Sequence, residues 1–206
     1  IHTLDEFIVE DEKTARRFLK KTNYPKSLNL IKLHLLNEHV SPNDISDYLA
    51  SAERGANIGL LSDAGCPAVA DPGAEIVKLA HKKGIRVIPL VGPSSILLAL
   101  MASGFNGQNF CFHGYLPKEK AERIKKLKEM DKVASFQNQT QIFIETPYRN
   151  QQMVQDILSC CPGETKLCIA CDISLATEMI QTKPVSEWRK KIPDINKRPA
   201  IFLIYK

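Results

Sequence analysis

Two loops carry the residues whose types and spacing could hold a small molecule. The first is "LLSDAGCPAVADPG", residues 60–73, where an apolar run climbs to Ser62 and gives way to small residues, two acids, a cysteine and two prolines. A plain strand-to-helix turn needs about two to six residues, so this connection is longer than a turn requires. Ala64, Gly65 and their small neighbours let backbone amides and carbonyls come close to a ligand. Pro67 and Pro72 stiffen the loop and lower the entropy lost on binding. The second loop, "VGPSS" at residues 91–95, offers the hydroxyls of Ser94 and Ser95 at the start of an apolar helix, a good place for a carboxylate. Such a crevice suits an amphipathic metabolite with a carboxylate, an adenine and a charged centre. Tight loops around a large sheet use the same residue types, and both readings stand at this level.

Other chemistries find less support. No G-x-G-x-x-G follows a strand pattern and no P-loop is present, so the usual nucleotide fingerprints are missing. None of the five histidines lies near a nucleophile elbow, which leaves no Ser-His-Asp triad to propose. His81 reads as a helix-surface residue and His113 as a core-edge one. Cys168 and Cys171 form a C-x-x-C, but "KLCIACDI" alternates like a strand, and residues three apart on a strand face opposite sides. They cannot converge on one metal, and no metal is expected. Cys160 and Cys161 precede Pro162-Gly163 and read as packing and cap residues.

The elements that must position these loops alternate between strand and helix. "EFIVE" (6–10) reads as a strand and "DEKTARRFLKK" (11–21) as a helix with Asp11 as its N-cap. "LNLIKLHLL" (28–36) is the next strand. Ser41-Pro42 then gives a cap and a first-turn proline, Ile45, Tyr48, Leu49 and Ala52 repeat at helical spacing, and Gly55 supplies a stop. "NIGLLS" (57–62) is a third strand. Asp71-Pro72 opens a helix with Ile76, Val77, Leu79 and Ala80 on its buried face. "IRVIPL" (85–90) reads as a fourth strand, and "SILLALMAS" as a helix capped by Ser94 and stopped by Gly104. This alternation predicts a parallel sheet with helices on both faces, and ligands bind such sheets at the carboxyl ends of their strands. Both loops leave carboxyl ends.

From Phe105 the pattern changes. "FNGQNFCFHGYLP" is turn-rich and aromatic, and a long charged helix follows with Ala121, Ile124 and Leu127 on one side. Strands at "TQIFIE", "KLCIACDIS", "EMIQT" and "AIFLIY" and helices at "PYRNQQMVQDILS" and "VSEWRKKI" complete the chain. Closer strand spacing predicts a mixed sheet. The reading is therefore α/β throughout, with two domains, residues 1–104 and 109–206, and a boundary near 104–110.

Bulk composition agrees. The chain has 206 residues, 44% hydrophobic and 25% charged, ordinary globular values. No apolar run approaches the ~20 residues of a membrane span and no signal peptide is visible, so a cytoplasmic protein without membrane attachment is expected. A net charge of +5 permits an acidic partner such as nucleic acid without demanding one.

The motifs then carry more than spacing does. "LLSDAGCPAVADPG", "VIPLVGPSSILLALMASGF" and "FCFHGYLPKEK" occur in this order with "IVEDEKTARRFL", "NEH" and "FIETPYRN". Together they resemble the tetrapyrrole-methylase-like (class III) S-adenosylmethionine-dependent methyltransferases, closest to the branch that methylates a cytidine 2'-oxygen in bacterial small-subunit ribosomal RNA. The resemblance runs from about Phe7 to Arg149 and implies two α/β domains with S-adenosylmethionine in the cleft between them, in a homodimer. It places Ala64, Gly65, Cys66 and Val69 at the family's cofactor loop. The family's threonine-alanine pair falls on Ser94 and Ser95, and further cofactor positions fall on Glu145 and Asp172. Three departures stand out. The family's opening strand with its P-I-G-N-L loop is absent, so the first strand is expected to precede these residues. The branch's R-E-L-T-K-x-x-E segment reads "CDISLATE", in which the arginine and lysine are gone and Glu178 matches the last acid. Cys66 stands where that branch has threonine. A tetrapyrrole or other small-molecule acceptor, and a cofactor-binding interaction module without transfer, are the alternatives.

Methyl transfer to a ribose hydroxyl gains from a general base, and Asp63 and Glu10 are the candidates, beside their bland roles as loop cap and surface acid. An RNA acceptor calls for cations. Residues 118–132 hold seven Lys/Arg against four acids, and Arg189, Lys190, Lys191, Lys197 and Arg198 form a second basic cluster. Tyr115 and Tyr148 are candidate stacking platforms, and ribosomal RNA or the small ribosomal subunit is the expected partner.

Overall fold

The computed structural model describes residues 1–37, 40 and 42–206, with 42–44 described in backbone only. Glu38 and His39 of the N-E-H motif and the expected cap Ser41 lie outside the described residues. Two compact units run Ile1–Pro93 and Ser94–Lys206.

The first unit is built on three parallel strands, β1 (Glu6–Val9), β2 (Lys32–Leu35) and β3 (Gly59–Leu61), in the order β2-β1-β3. Phe7, Ile8 and Val9 of the central strand are buried on both faces, as the continuous apolar run of a covered parallel strand requires. Phe7 and Val9 pack with Ala15 and Leu19 of α1 (Glu12–Lys21). Ile8 packs on the other face with Leu49 and with Ile76 and Ala80 of α4 (Gly73–Lys82). Asp11 caps α1 as expected, accepting from the Thr14 amide at 2.7 Å, and that bond holds its carboxyl below the usual range. Gly59 is required by packing: a Cβ there would come within 2.6 Å of the Phe7 ring.

Two expectations for this unit change. The single helix expected through Ala52 is two short ones, α2 (Pro42–Asp47) and α3 (Ala50–Glu53). The break falls where the Tyr48 hydroxyl donates to the Leu35 carbonyl at 2.6 Å and Leu49 turns into the core. The fourth strand expected at 85–90 is not formed, and no strand among the described residues pairs with it. Ile85 and Val87 pack beside α4, but Ile88, Leu90 and Val91 stand exposed, and Pro89 has no amide to give a ladder.

The second unit carries a five-stranded mixed sheet in the order β4-β5-β8-β6-β7. Its strands are β4 (Phe110–Tyr115), β5 (Thr140–Ile144), β6 (Lys166–Cys171), β7 (Met179–Pro184) and β8 (Ala200–Tyr205). Only β4 and β5 run parallel as neighbours; the other pairs are antiparallel. One face packs on α5 (Ser95–Ser103). The other packs on α6 (Lys120–Gln137), α7 (Asn150–Cys160) and α8 (Val185–Trp188), with Phe143 stacked on Phe202 and the Trp188 indole donating to the Leu167 carbonyl at 2.9 Å.

Three local readings shift here. The helix Ser95–Ser103, assigned to the first domain from sequence, packs on the second unit's sheet. The aromatic stretch read as turns contains β4, whose register is interrupted near Gly114, where φ is +65°. The buried side of α6 is Arg123, Leu127, Met130 and Ala134 rather than Ala121, Ile124 and Leu127. Arg123 is drawn inward by Asp156 of α7, with Nε and Nη2 donating at 2.8 and 2.6 Å. The strand geometry of Cys168 and Cys171 holds: they face opposite sides of β6, one toward α5 and the other toward α7.

Candidate cofactor-binding site

In the first unit the chain leaves the carboxyl end of β3 through the long loop. Gly65, Cys66, Ala68 and Ala70 all take positive φ, at +82°, +51°, +72° and +59°. Three of these are not glycine, and such a conformation costs on the order of 1–3 kcal/mol each. Asp71 holds the loop in this shape from inside. Its Oδ1 accepts from the amides of Ala68 and Gly73, both at 2.7 Å. A Cβ on Gly73 would fall 2.8 Å from that oxygen, which is why the motif closes on glycine. The other oxygen, Oδ2, is buried without a partner among the described residues. Cys66 Sγ lies 3.5 Å from the Pro93 carbonyl, and the amide of Val69 donates to the Cys66 carbonyl at 3.1 Å.

The result is a cradle. The amides of Ala64 and Cys66 have no hydrogen-bond partner among the described residues, the Gly65 amide closes a turn on Ser62, and Val69 leaves its apolar side chain exposed. Successive backbone amides presented at a turn can cradle an anion. This donor set suits the carboxylate of an amino-acid ligand, with Val69 offered to its apolar part.

Beside the cradle, Glu10 and Asp63 meet. Glu10 Oε1 accepts from the Asp63 amide at 2.8 Å, across 53 positions of sequence. Partial burial and the charges of Glu10 and Asp11 push the Asp63 carboxyl above the ordinary aspartate range. Asp63 is thereby a stronger proton acceptor than a free aspartate, and it remains exposed.

In the second unit Ser94 is the N-cap residue of α5, with extended backbone and no side-chain cap bond. Glu145 follows β5 and Asp172 follows β6, at the same end of the sheet with the start of β8 between them. Each acid is held by an arginine. Glu145 Oε1 accepts from Arg149 Nη2 at 2.6 Å and from the Thr146 amide at 2.6 Å. Asp172 Oδ2 accepts from Arg198 Nε and from the Thr177 hydroxyl, each at 2.8 Å. Those bonds, the arginine's foremost, hold the Asp172 carboxyl below the usual range. In both acids these bonds converge on one oxygen and leave the second outside the network.

Sequence reasoning missed Asp71 as the internal brace, although D-P-G announces a turn whose aspartate can bond its own backbone. It also missed Arg149 and Arg198 as partners, of which only Arg149 carried a signal, four residues after Glu145. The basic clusters shrink. Arg123 is buried, Arg198 is paired with Asp172, and Arg189 donates at 2.8 Å to the carbonyls of Leu158 and Cys161 at the end of α7. Tyr115 and Tyr148 are both exposed.

Two solved structures share this fold. The chain is similar to a structure described as the methyltransferase CobJ, with a TM-score of 0.62 at 15% identity over 98% of this chain and 83% of that one. It is equally similar to the cobalamin biosynthetic enzyme cobalt precorrin-4 methyltransferase, CbiF, with a TM-score of 0.61 at 12% identity over 99% and 84%.

The family model of tetrapyrrole (corrin/porphyrin) methylases matches residues 4–188, and the chain belongs to that family. Among named relatives, the ribosomal RNA small subunit methyltransferase I of Vibrio cholerae is 33% identical over 98% of this chain and 68% of its own length. Those of Escherichia coli O157:H7 and Bacillus subtilis are 33% and 37% identical over 84% and 72% of this chain. The chain spans 60% of the Escherichia coli relative and 48% of the Bacillus subtilis one.

Proposed function

We propose that this chain transfers a methyl group from S-adenosylmethionine to a ribose 2'-oxygen of small-subunit ribosomal RNA. The observation that carries the reading is the strained loop that presents the amides of Ala64 to Cys66 beside the Glu10–Asp63 pair. The relatives' shared name supplies the acceptor class.

Bound S-adenosylmethionine supplies an activated sulfonium methyl. The amides of Ala64 and Cys66 hold the carboxylate of its methionine part, and Val69 covers apolar surface. On the family resemblance, Ser94, Ser95, Glu145 and Asp172 are the other polar residues assigned to cofactor binding. Asp63 accepts the proton of the ribose hydroxyl as its oxygen bonds to the methyl carbon and the carbon–sulfur bond breaks. The electron pair of that bond stays on sulfur, leaving S-adenosylhomocysteine and a protonated carboxyl. Positioning of the acceptor supplies about 7–11 kcal/mol, and the base about 10²–10⁴-fold in rate.

The test is transfer of tritiated methyl from S-adenosylmethionine to small ribosomal subunits lacking their native methylation. Incorporation approaching one methyl per subunit, mapped to a ribose oxygen, is the expected result. Transfer to a tetrapyrrole but not to RNA would replace the acceptor. No transfer to any acceptor by folded protein would leave the binding-module reading.

A further inference from the structure

Two cavities of the second unit lie along its edge strand β7, and Lys183 lines each of them. The first, about 260 Å³, is walled by Phe105 and Tyr205, whose rings stack at 5.2 Å with 30° between planes. The Tyr205 hydroxyl is fixed by Asn138. Lys166 lines the same cavity, in register with Tyr205 across β6 and β8. The second, about 300 Å³, is floored by Trp188 and lined by Lys183 and Lys191, with Asp194 its one acid. Lys183 Nζ sits 4.8 Å from the centre of the Trp188 ring, which holds the ammonium in place before any ligand arrives. The second sits at the small end of ligand sites, which run about 300–1,000 Å³, and the first falls just below it.

The β7 edge differs from the other basic surface in how its lysines are arranged. Residues 179–198, with Arg189 and Arg198 engaged by the fold, keep four lysines against two acids. On 118–132, with Arg123 buried, six lysines are interleaved with four acids. A cavity with an aromatic pair and the lysines Lys166 and Lys183, next to one with Lys183 and Lys191 over an indole, sets stacking beside cationic contact. Single-stranded nucleic acid asks for that combination.

We propose that the β7 edge is a binding track for single-stranded RNA, with a base in the Phe105–Tyr205 cavity and backbone phosphates on Lys183 and Lys191. The track rests on the methyltransferase reading for its substrate class but names a surface that reading does not use. Lys166 opens β6 and Asp172 follows its far end, so the aromatic cavity stands about 20 Å from Asp172 at 3.3 Å per residue. A strand of several nucleotides spans that distance.

The experiment measures binding of a fluorescent single-stranded RNA 12-mer by anisotropy, as a function of salt. Lys183→Ala with Lys191→Ala should weaken binding at least tenfold in low salt. It should also make the slope of log K against log salt shallower by about 1.4, two phosphates at about 0.7 each. Phe105→Leu should weaken binding with the slope unchanged. Lys120→Ala with Lys125→Ala, on α6, should have less than a twofold effect. Unchanged binding in the Lys183/Lys191 variant, or a loss confined to the α6 variant, would overturn the track. So would a free mononucleotide that competes as tightly as the 12-mer, because the site would then serve a nucleotide rather than a strand. Thermal melting checks that each variant is folded. S-adenosylhomocysteine affinity, expected unchanged in all of them, separates failure of the track from failure of the methyltransferase reading.

Discussion

The carboxylate of Glu10 accepts a hydrogen bond from the backbone amide of Asp63 at 2.8 Å, joining the end of β1 to the loop that follows β3. The bond fixes the loop's first turn and sets one negative charge beside another. That second effect has a readable consequence. Asp63 must be ionised to accept a proton, and its carboxyl is raised, so activity falls as pH drops through its pKa. Asp63→Asn should lower kcat by about 10²–10⁴-fold with S-adenosylhomocysteine affinity within twofold of wild type. Glu10→Gln removes a neighbouring charge and should move the acid limb of the kcat profile to lower pH. An unchanged limb in Glu10→Gln, or full turnover by Asp63→Asn, would remove Asp63 as the base.

The strained cradle makes a prediction of opposite sign for two kinds of substitution. Ala68→Gly and Ala70→Gly relieve positive φ and should each stabilise the first unit by about 1 kcal/mol, read as a higher melting temperature. Asp71→Ala strips the acceptor from two amides and should cost roughly 1–3 kcal/mol, with at least a tenfold loss in cofactor affinity. Equal destabilisation by both kinds of change would mean the loop is not held as described.

Acid should weaken the first unit through Glu6. Burial by itself would raise this carboxyl, but hydrogen bonds from His34, Lys32 and Ser51 outweigh it and hold its pKa at about 2. A carboxylate with a depressed folded pKa stabilises fully above its unfolded value, and the contribution disappears as pH falls toward the folded one. Stability by urea denaturation should therefore drop between about pH 4.5 and 2, and Glu6→Gln should flatten that drop while costing roughly 1.5–3 kcal/mol at neutral pH.

The buried Arg123–Asp156 pair should behave as a unit. Arg123→Ala leaves a 2% exposed carboxylate without its partner, and such a loss costs about 3–5 kcal/mol. Arg123→Met with Asp156→Leu should recover most of it. A near-neutral Arg123→Ala would place the pair in solvent rather than in the core.

How much of this was legible follows from which residues carry local signals. Four of the second unit's five strands announce themselves by short apolar runs, β4 being hidden among turn residues, and Asp11 and Gly55 mark helix ends by chemistry alone. Strand-like alternation in "IRVIPL" was real but insufficient, because a strand exists only where a neighbour pairs with it. Helix α5 is apolar around most of its circumference, so nothing in its own sequence says which sheet it covers. The loop's role was visible in its small residues and prolines. Its geometry was not, because positive φ at Cys66, Ala68 and Ala70 depends on Asp71 reaching back to the Ala68 amide. Basic clusters misled where long-range partners decide, since Asp156 and Asp172 lie 33 and 26 positions from the arginines they hold.

The central claim is that the 62–73 loop holds S-adenosylmethionine. Calorimetric titration of S-adenosylhomocysteine into the folded protein tests it most directly. The account predicts micromolar affinity at one site per chain, lost at least tenfold in Asp71→Ala. An absence of binding heat and of any thermal shift, in protein whose melting shows it folded, would contradict the cradle as a cofactor site.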